Sequence, residues 1–398
     1  MKKVWMLLML AFAFNSFAKA TIPIDSLTLS EFSSAKASLI TCSPGKEIYN
    51  LFGHTAIRFQ FKDNSDVVFN YGLFSFRTPH FILRFTMGKT DYELGIQSYQ
   101  EFEDNYAFNN RSVEEQVLNL STAEKIKLYD LLTTNYLPEN RVYRYNFFYD
   151  NCSTRPRDKI EQSIAGKVIY PHYMEKKSFR DIIHQYTVGH SWDRFGIDLC
   201  LGYAADKPIS PRLMMFCPFY LRDFVEKAKI LNSDGSSRTL ISKHNKLVIS
   251  QSTQKQGFVP TPFQVMLLLF ILSAAVTIYG LKKKKSMWIY DTVLFTVAGL
   301  GGCIIAFLML FSTHPAVGSN LQIFLLHPFY LLCLPWILLS ERAHRKSRIL
   351  IVFDIILTLF IVLFAVLPQK MDLAIVPLAL SLLVRSLSNV LLTYKEKK

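Results

Sequence analysis

Five long apolar stretches dominate the last third of the chain: residues 263–281, 287–311, 321–340, 349–367 and 373–393. Each is long enough, at about twenty residues, to cross the hydrocarbon core of a bilayer as a helix. A shorter apolar run, Val4–Phe14, stands at the other end, after Lys2 and Lys3 and before Ala18-Lys19-Ala20. That order of charge, apolar segment and small-residue site predicts a secretory signal over residues 1–20, with the mature chain starting at Thr21. Residues 21–255 show shorter periods. Ser26–Ala37 has helical spacing, and Thr55, Ile57, Phe59 and Phe61 alternate with polar positions as in a half-buried strand. Asp63-Asn64-Ser65-Asp66 is a turn cluster, Val67–Leu73 reads as the next strand, and Val113–Leu120 as another. Ser121-Thr122-Ala123-Glu124 is a capping box that opens a helix to about Asn135. Arg141–Phe148 reads as extended, with a helix after Asn151 and further helices over 178–186 and 211–230. Asn245-Lys246 reads as the turn of a last hairpin, and Gln251–Pro262 as a polar linker. Strands and helices mix without strict alternation, so the class is α+β for residues 21–255, followed by an all-α five-helix transmembrane domain over 256–398.

Charge changes the picture chiefly through its location. The chain of 398 residues is 50% hydrophobic and carries a formal net charge of +14. Residues 21–255 hold 29 Lys and Arg against 26 Asp and Glu, whereas residues 256–398 hold 13 against 5. The domain is therefore nearly neutral and the excess lies beside the apolar runs, which excludes a basic nucleic-acid-binding domain as the leading idea. Lys282–Lys285, the group Arg342, Arg345, Lys346 and Arg348, and the final Lys395, Lys397 and Lys398 flank the spans on one side. The alternate loops, 312–320 and 368–372, hold only Lys370. The bias of Lys and Arg toward the cytoplasm puts the C-terminus inside and the N-terminal domain outside, in agreement with the signal. Within the spans, Arg385 is expected to snorkel toward the cytoplasmic face or to find a partner, and His327-Pro328 to kink the third span.

Chemistry, if present, belongs to the exported domain, because the cytoplasmic loops are short. Of six cysteines, Cys303 and Cys333 lie in apolar runs, and Cys200 and Cys217 could pair in an oxidising compartment. Two segments are unlike ordinary core. In Gly53-His54-Thr55 a histidine begins a strand. In Tyr149-Asp150-Asn151-Cys152-Ser153-Thr154-Arg155 a cysteine sits at a helix N-terminus, where helix-end amides and Arg155 would favour thiolate over thiol. A base and a lowered thiol pKa are the ingredients of a nucleophile, although Cys152 could instead pair with Cys42. A third group should orient the imidazole. His54 and Asn70 both have opposite parity to the apolar sets of their strands, so pairing of the strands puts them on one face. Asn70 is the expected orienter and Tyr71 the fallback.

The segments Leu51-Phe52-Gly53-His54-Thr55-Ala56-Ile57-Arg58, Asn70-Tyr71-Gly72 and Asn146-Phe147-Phe148-Tyr149-Asp150-Asn151-Cys152-Ser153-Thr154 resemble the Lnb family of bacterial lipoprotein N-acyltransferases, as do Ser312-Thr313-His314-Pro315 and Asn320. The resemblance implies a periplasmic thiol-enzyme domain, similar to permuted papain-like enzymes of the NlpC/P60 type, joined to five inner-membrane helices. It implies His54 as base and Cys152 as nucleophile. Arg58, Tyr71, Asn151, Arg155 and His314 are then expected to meet substrate. The implied activity moves an acyl chain from a phospholipid to the α-amino group of a diacylated lipoprotein, without a cofactor because the donor is already an ester. Two other readings stay open at this point: a membrane-anchored cysteine peptidase or amidase acting on cell-wall peptides, and a non-catalytic assembly or sensor protein.

Overall fold

A computed structural model describes residues 26–250 and 257–395. The expected signal segment and residues 251–256 of the expected Gln251–Pro262 linker lie outside the described residues.

The strands are Lys36–Cys42 (β1), His54–Gln60 (β2), Asp66–Leu73 (β3), Asp91–Ser98 (β4), Val113–Leu118 (β5), Val142–Arg144 (β6), Lys167–Ile169 (β7), Lys229–Leu231 (β8), Ser237–Thr239 (β9) and Ile241–Val248 (β10). Seven of them form one antiparallel sheet in the order β10-β5-β1-β2-β3-β4-β6, and β7-β8-β9 form a second small sheet. Helices cover both faces of the large sheet. Leu39, Ile57, Phe59, Phe69 and Tyr71 pack on one side with Leu128, Leu132 and Ile160 from the helices Thr122–Tyr136 and Thr154–Ser163. Ile40, Cys42, Ala56 and Val68 pack on the other beneath Tyr99 and Phe102 of the helix Tyr99–Phe108. Burial of each large apolar side chain contributes about 1.5–3 kcal/mol, so the two-sided cover is what fixes the central strands. β2 is buried on both faces rather than half-buried, because Ala56 and Arg58 lie under cover as well as Thr55, Ile57 and Phe59.

Three local expectations are corrected. The first helix stops at Ser34 and residues 36–42 form β1, since the apolar run Leu39–Cys42 is claimed by pairing with both β2 and β5. The stretch 211–230 divides into Pro211–Met214, Pro218–Glu226 and β8. Each proline opens a first helical turn, where its missing N–H costs nothing, and cannot continue the one before it. Asn245 and Lys246 form no turn: they lie inside β10, paired with Glu115 and Glu114.

Among the described residues four helices are long and apolar enough to span a bilayer: Pro262–Lys283, Trp288–Phe311, Arg348–Val366 and Ile375–Leu392. The remaining apolar run is broken, Leu321–Leu332 and Leu334–Arg342 meeting at 71°. One bend falls at Cys333, just ahead of Pro335 in the first turn of the next helix, and the helical run is also interrupted over 325–328, at His327-Pro328. The backbone of His327 lies so close to the Trp288–Phe311 helix that a Cβ at Gly302 would come within 2.4 Å of its carbonyl carbon. Arg385 does not snorkel. It is buried and held by Asp291 through two bonds of 2.6 and 2.7 Å, with Thr277 accepting a third at 2.8 Å.

The two parts of the chain are docked. The Gly202 amide donates to the Ala316 carbonyl at 2.8 Å, Asn320 Nδ2 to the Leu199 carbonyl at 2.8 Å, and Gln369 Nε2 to the Leu201 carbonyl at 3.0 Å. Lys370 pairs with Asp181 at 2.6 Å. The loop before the broken segment, 312–320, and the loop between the last two helices, 368–372, thus rest on the N-terminal domain.

Candidate active site

His54 opens β2, and Gly53 is what lets it do so. Gly53 has φ +82°, and a Cβ there would stand 2.6 Å from the Cys42 carbonyl oxygen. β2 pairs with β3 in the register Ile57↔Phe69 and Phe59↔Val67, so Asn70 shares the face of His54. His54 Nε2 and Asn70 Oδ1 are 2.5 Å apart. With Nε2 engaged there, Nδ1 is the ring nitrogen left for Cys152, whose side chain is hydrogen-bonded to His54. All three residues are partly exposed at the end of the sheet.

Cys152 is positioned by the turn that precedes the helix Thr154–Ser163. Asn151 builds that turn. Its Oδ1 accepts from the Ser153 and Thr154 amides at 2.8 and 3.0 Å, and its Nδ2 donates to the Phe147 and Phe216 carbonyls at 2.7 and 2.9 Å. The first helix amides are therefore spent on the cap, which leaves the Cys152 N–H over. Burial opposes a thiolate at Cys152. The charge of His54, its hydrogen bond, the Thr55 amide and the Ser153 hydroxyl outweigh that and bring the thiol below its ordinary range. Burial likewise opposes an imidazolium at His54, yet Cys152 and Asn70 raise it above the ordinary histidine range. The two shifts have one cause, an ion pair between neighbours. The other cysteines of the domain go the opposite way: burial pushes Cys42 and Cys217 up to about 12 and also raises Cys200. All four are free thiols, so neither a Cys42–Cys152 nor a Cys200–Cys217 bridge is present.

The remaining expected residues are each engaged by other parts of the protein. Arg58 is buried, bound to Asp66 at 2.6 and 2.8 Å and to Glu115 at 3.1 Å, with its guanidinium 3.4 Å from the centre of the Tyr99 ring. That network holds Arg58 in the core as an ion pair. Tyr71 points to the opposite face of the sheet from Asn70, fully buried, and its hydroxyl donates to Asn135 Oδ1 at 2.7 Å. Asn151 is buried with both ends of its amide engaged, as described. Arg155 is clamped by Asp150 at 2.6 and 2.8 Å and stacks 3.6 Å over Tyr143, and the thiolate draws its support from His54 instead. His314 donates from Nε2 to the Phe85 carbonyl at 2.9 Å, in a contact between the two parts of the chain. Sequence reasoning missed Thr55 and Ser153, whose hydroxyls lie 3.2 Å apart beside the thiol. It also missed Asp291, a lone acid in an apolar run that deserved the same question as Arg385.

Comparison with known families fits both halves. Residues 25–174 match the Lnb N-terminal periplasmic domain, and residues 253–397 match the Lnb transmembrane domain. The chain belongs to the Lnb family. It is therefore a membrane protein with a periplasmic N-terminal domain and a helical transmembrane domain. No curated protein and no solved structure matches it. In this Lnb chain the thiol, the imidazole and the asparagine all come from the matched periplasmic segment.

Proposed function

We propose that this Lnb protein is a lipoprotein N-acyltransferase that works by ping-pong transfer through Cys152. The observation that carries the reading is the contact of Cys152 with His54, the pair held by Asn70, in a periplasmic domain fastened to a membrane domain. The Cys152 thiolate attacks the carbonyl carbon of a phospholipid ester. The developing oxyanion accepts a hydrogen bond from the Cys152 amide, the N–H that the Asn151 cap leaves over. The C–O bond breaks, His54 protonates the departing lysolipid alkoxide, and an acyl-thioester remains. The α-amino group of a diacylglyceryl-cysteine then attacks the thioester, His54 takes its proton, and amide and thiolate result. The arrangement of a histidine on a strand before a cysteine at a helix start is that of a permuted papain-like enzyme. The C-terminus lies in the cytoplasm, with the broken segment counted as the third of five spans, since loops 312–320 and 368–372 rest on the periplasmic domain. A polytopic anchor favours a lipid substrate over a soluble cell-wall peptide.

Cys152→Ser is expected to abolish N-acylation while the protein stays in the membrane. Mass spectrometry of lipoprotein N-terminal peptides checks this, and triacylated peptides from cells whose only copy is the variant would sink the mechanism.

A further inference from the structure

The periplasmic domain carries a line of aromatic rings that the thiol chemistry does not use. It begins beside Cys152, where Tyr92 is buried and Tyr145, Phe74 and Phe81 are partly exposed, and ends in an exposed apolar foot beside the membrane domain. A Cβ at Gly72, near the end of β3, would lie 3.6 Å from Cys152 Cβ. Tyr145 and Tyr92 lie close enough to feel the charge of Cys152, and their rings stack at 4.1 Å. Tyr92 stacks on Phe74 at 4.9 Å, Phe74 on Phe81 at 5.4 Å, and Phe81 on Phe85 at 6.2 Å. Phe85 meets the His314 ring at 5.9 Å. This is an unbroken line of rings from the neighbourhood of the thiol to the loop after the Trp288–Phe311 helix.

The foot of that line is fixed at membrane level. Ser312 Oγ donates to the Thr86 carbonyl at 2.7 Å, and the Thr313 amide to the Met87 carbonyl at 3.0 Å. These residues follow directly on Phe311, the last residue of a membrane helix. The short helix Phe81–Thr86 is thus pinned where the bilayer surface must be, and it leaves Ile82 78% and Leu83 50% exposed, with Phe76 64% exposed nearby. Contiguous apolar exposure of this kind marks an interaction site in a soluble environment and a favourable one at a lipid interface.

We propose that this ring line is an acyl-chain track. Ile82, Leu83 and Phe76 dip into the outer leaflet, and the rings from Phe85 to Tyr92 receive the fatty chain of a membrane lipid as its ester carbonyl rises to Cys152. The proposal rests on the acyl-transfer reading of the thiol and assigns the donor's chain a place. Flat aromatic walls suit a polymethylene chain, which needs apolar contact without directional bonds.

The full chain, reconstituted in phosphatidylethanolamine and phosphatidylglycerol vesicles, tests it in two ways. Ile82→Trp should gain emission that lipids brominated on their acyl chains quench, beyond the quenching of the unsubstituted chain. Absence of added quenching overturns the membrane-level foot. Next, Cys152 is acylated with p-nitrophenyl palmitate or p-nitrophenyl acetate, each forming a thioester and releasing p-nitrophenolate. In Ile82→Ser/Leu83→Ser and in Phe81→Ala, the palmitate-to-acetate rate ratio should fall by about tenfold, as loss of apolar contact to the chain requires. An unchanged ratio in both variants overturns the track while acyl transfer stands. If the unsubstituted protein is acylated by neither ester, the acyl-transfer reading itself fails and the track falls with it.

Discussion

Two cysteines stand close to the same histidine and behave in opposite ways. Cys42 faces His54 across the β1–β2 ladder, but its side chain lies under the Tyr99–Phe108 helix, where burial raises it to about 12. Cys152 reaches the imidazole itself, and the charge of His54 overcomes the cost of burial. The sign of the pH dependence follows. Thiolate is lost as pH falls through the Cys152 pKa, which lies below the ordinary thiol range, and removal of the His54 charge moves that pKa up. Iodoacetamide labelling of Cys152 should therefore begin at lower pH in the unsubstituted protein than in His54→Ala, whose profile shifts to higher pH. Cys42→Ser should leave the labelling profile in place, and loss of labelling in that variant would assign the reactive thiol to Cys42. The parity of His54 and Asn70 made their shared face legible in sequence. The actual support of the thiolate was not, because Thr55 and Ser153 differ from ordinary polar residues only by where the chain brings them.

At the level of elements, the turn before the Thr154–Ser163 helix shows how a buried amide can set a nucleophile. Asn151 satisfies two backbone N–H groups and two carbonyls at once. Asn151→Ala leaves those groups buried without partners and should cost about 2–4 kcal/mol, read as a lowered denaturation midpoint. Asn151→Asp keeps the acceptor for the Ser153 and Thr154 amides but loses the donors to Phe147 and Phe216, so it should retain only part of the stability. From sequence, Asn151 was expected to meet substrate because the family resemblance implied it, and its distant carbonyl partner Phe216 leaves no local mark. Capping residues were easier to read where the motif is local: the Ser121 and Glu124 pair closes its capping box as expected. β1 was missed for the converse reason. Its apolar run suits a helix end or a doubly covered strand, and only pairing with β2 and β5 decides between them.

For the molecule as a whole, the Asp291–Arg385 pair ties the Trp288–Phe311 helix to the Ile375–Lys395 helix inside the membrane domain. Glu341, from the broken segment, hydrogen-bonds Asp291 and brings a third element to the pair. Asp291→Ala leaves Arg385 buried without its counter-charge and should destabilise the domain by about 3–5 kcal/mol, seen as lower thermal retention of folded protein in detergent. Asp291→Leu/Arg385→Leu should recover part of that loss, since the buried cation goes with the anion and only Glu341 is left without its partner. A double variant as unstable as Asp291→Ala would show that the pair does more than neutralise itself.

Composition and pattern by themselves determined the division into an exported domain and apolar spans, the placement of basic residues beside those spans, the main strands from His54 to Leu73, and the candidates His54, Asn70 and Cys152. All of these rest on local period or on charge, which a chain displays before it folds. Tertiary structure alone decided which candidates meet. It withdrew Arg58, Tyr71, Asn151 and Arg155 into ion pairs, core and cap, bent the third apolar run, and joined Arg385 to Asp291. The deciding partners are often distant, as Glu115 is for Arg58, Asn135 for Tyr71, Phe216 for Asn151 and Asp291 for Arg385, and no local pattern records which distant acid, amide or carbonyl a side chain will reach.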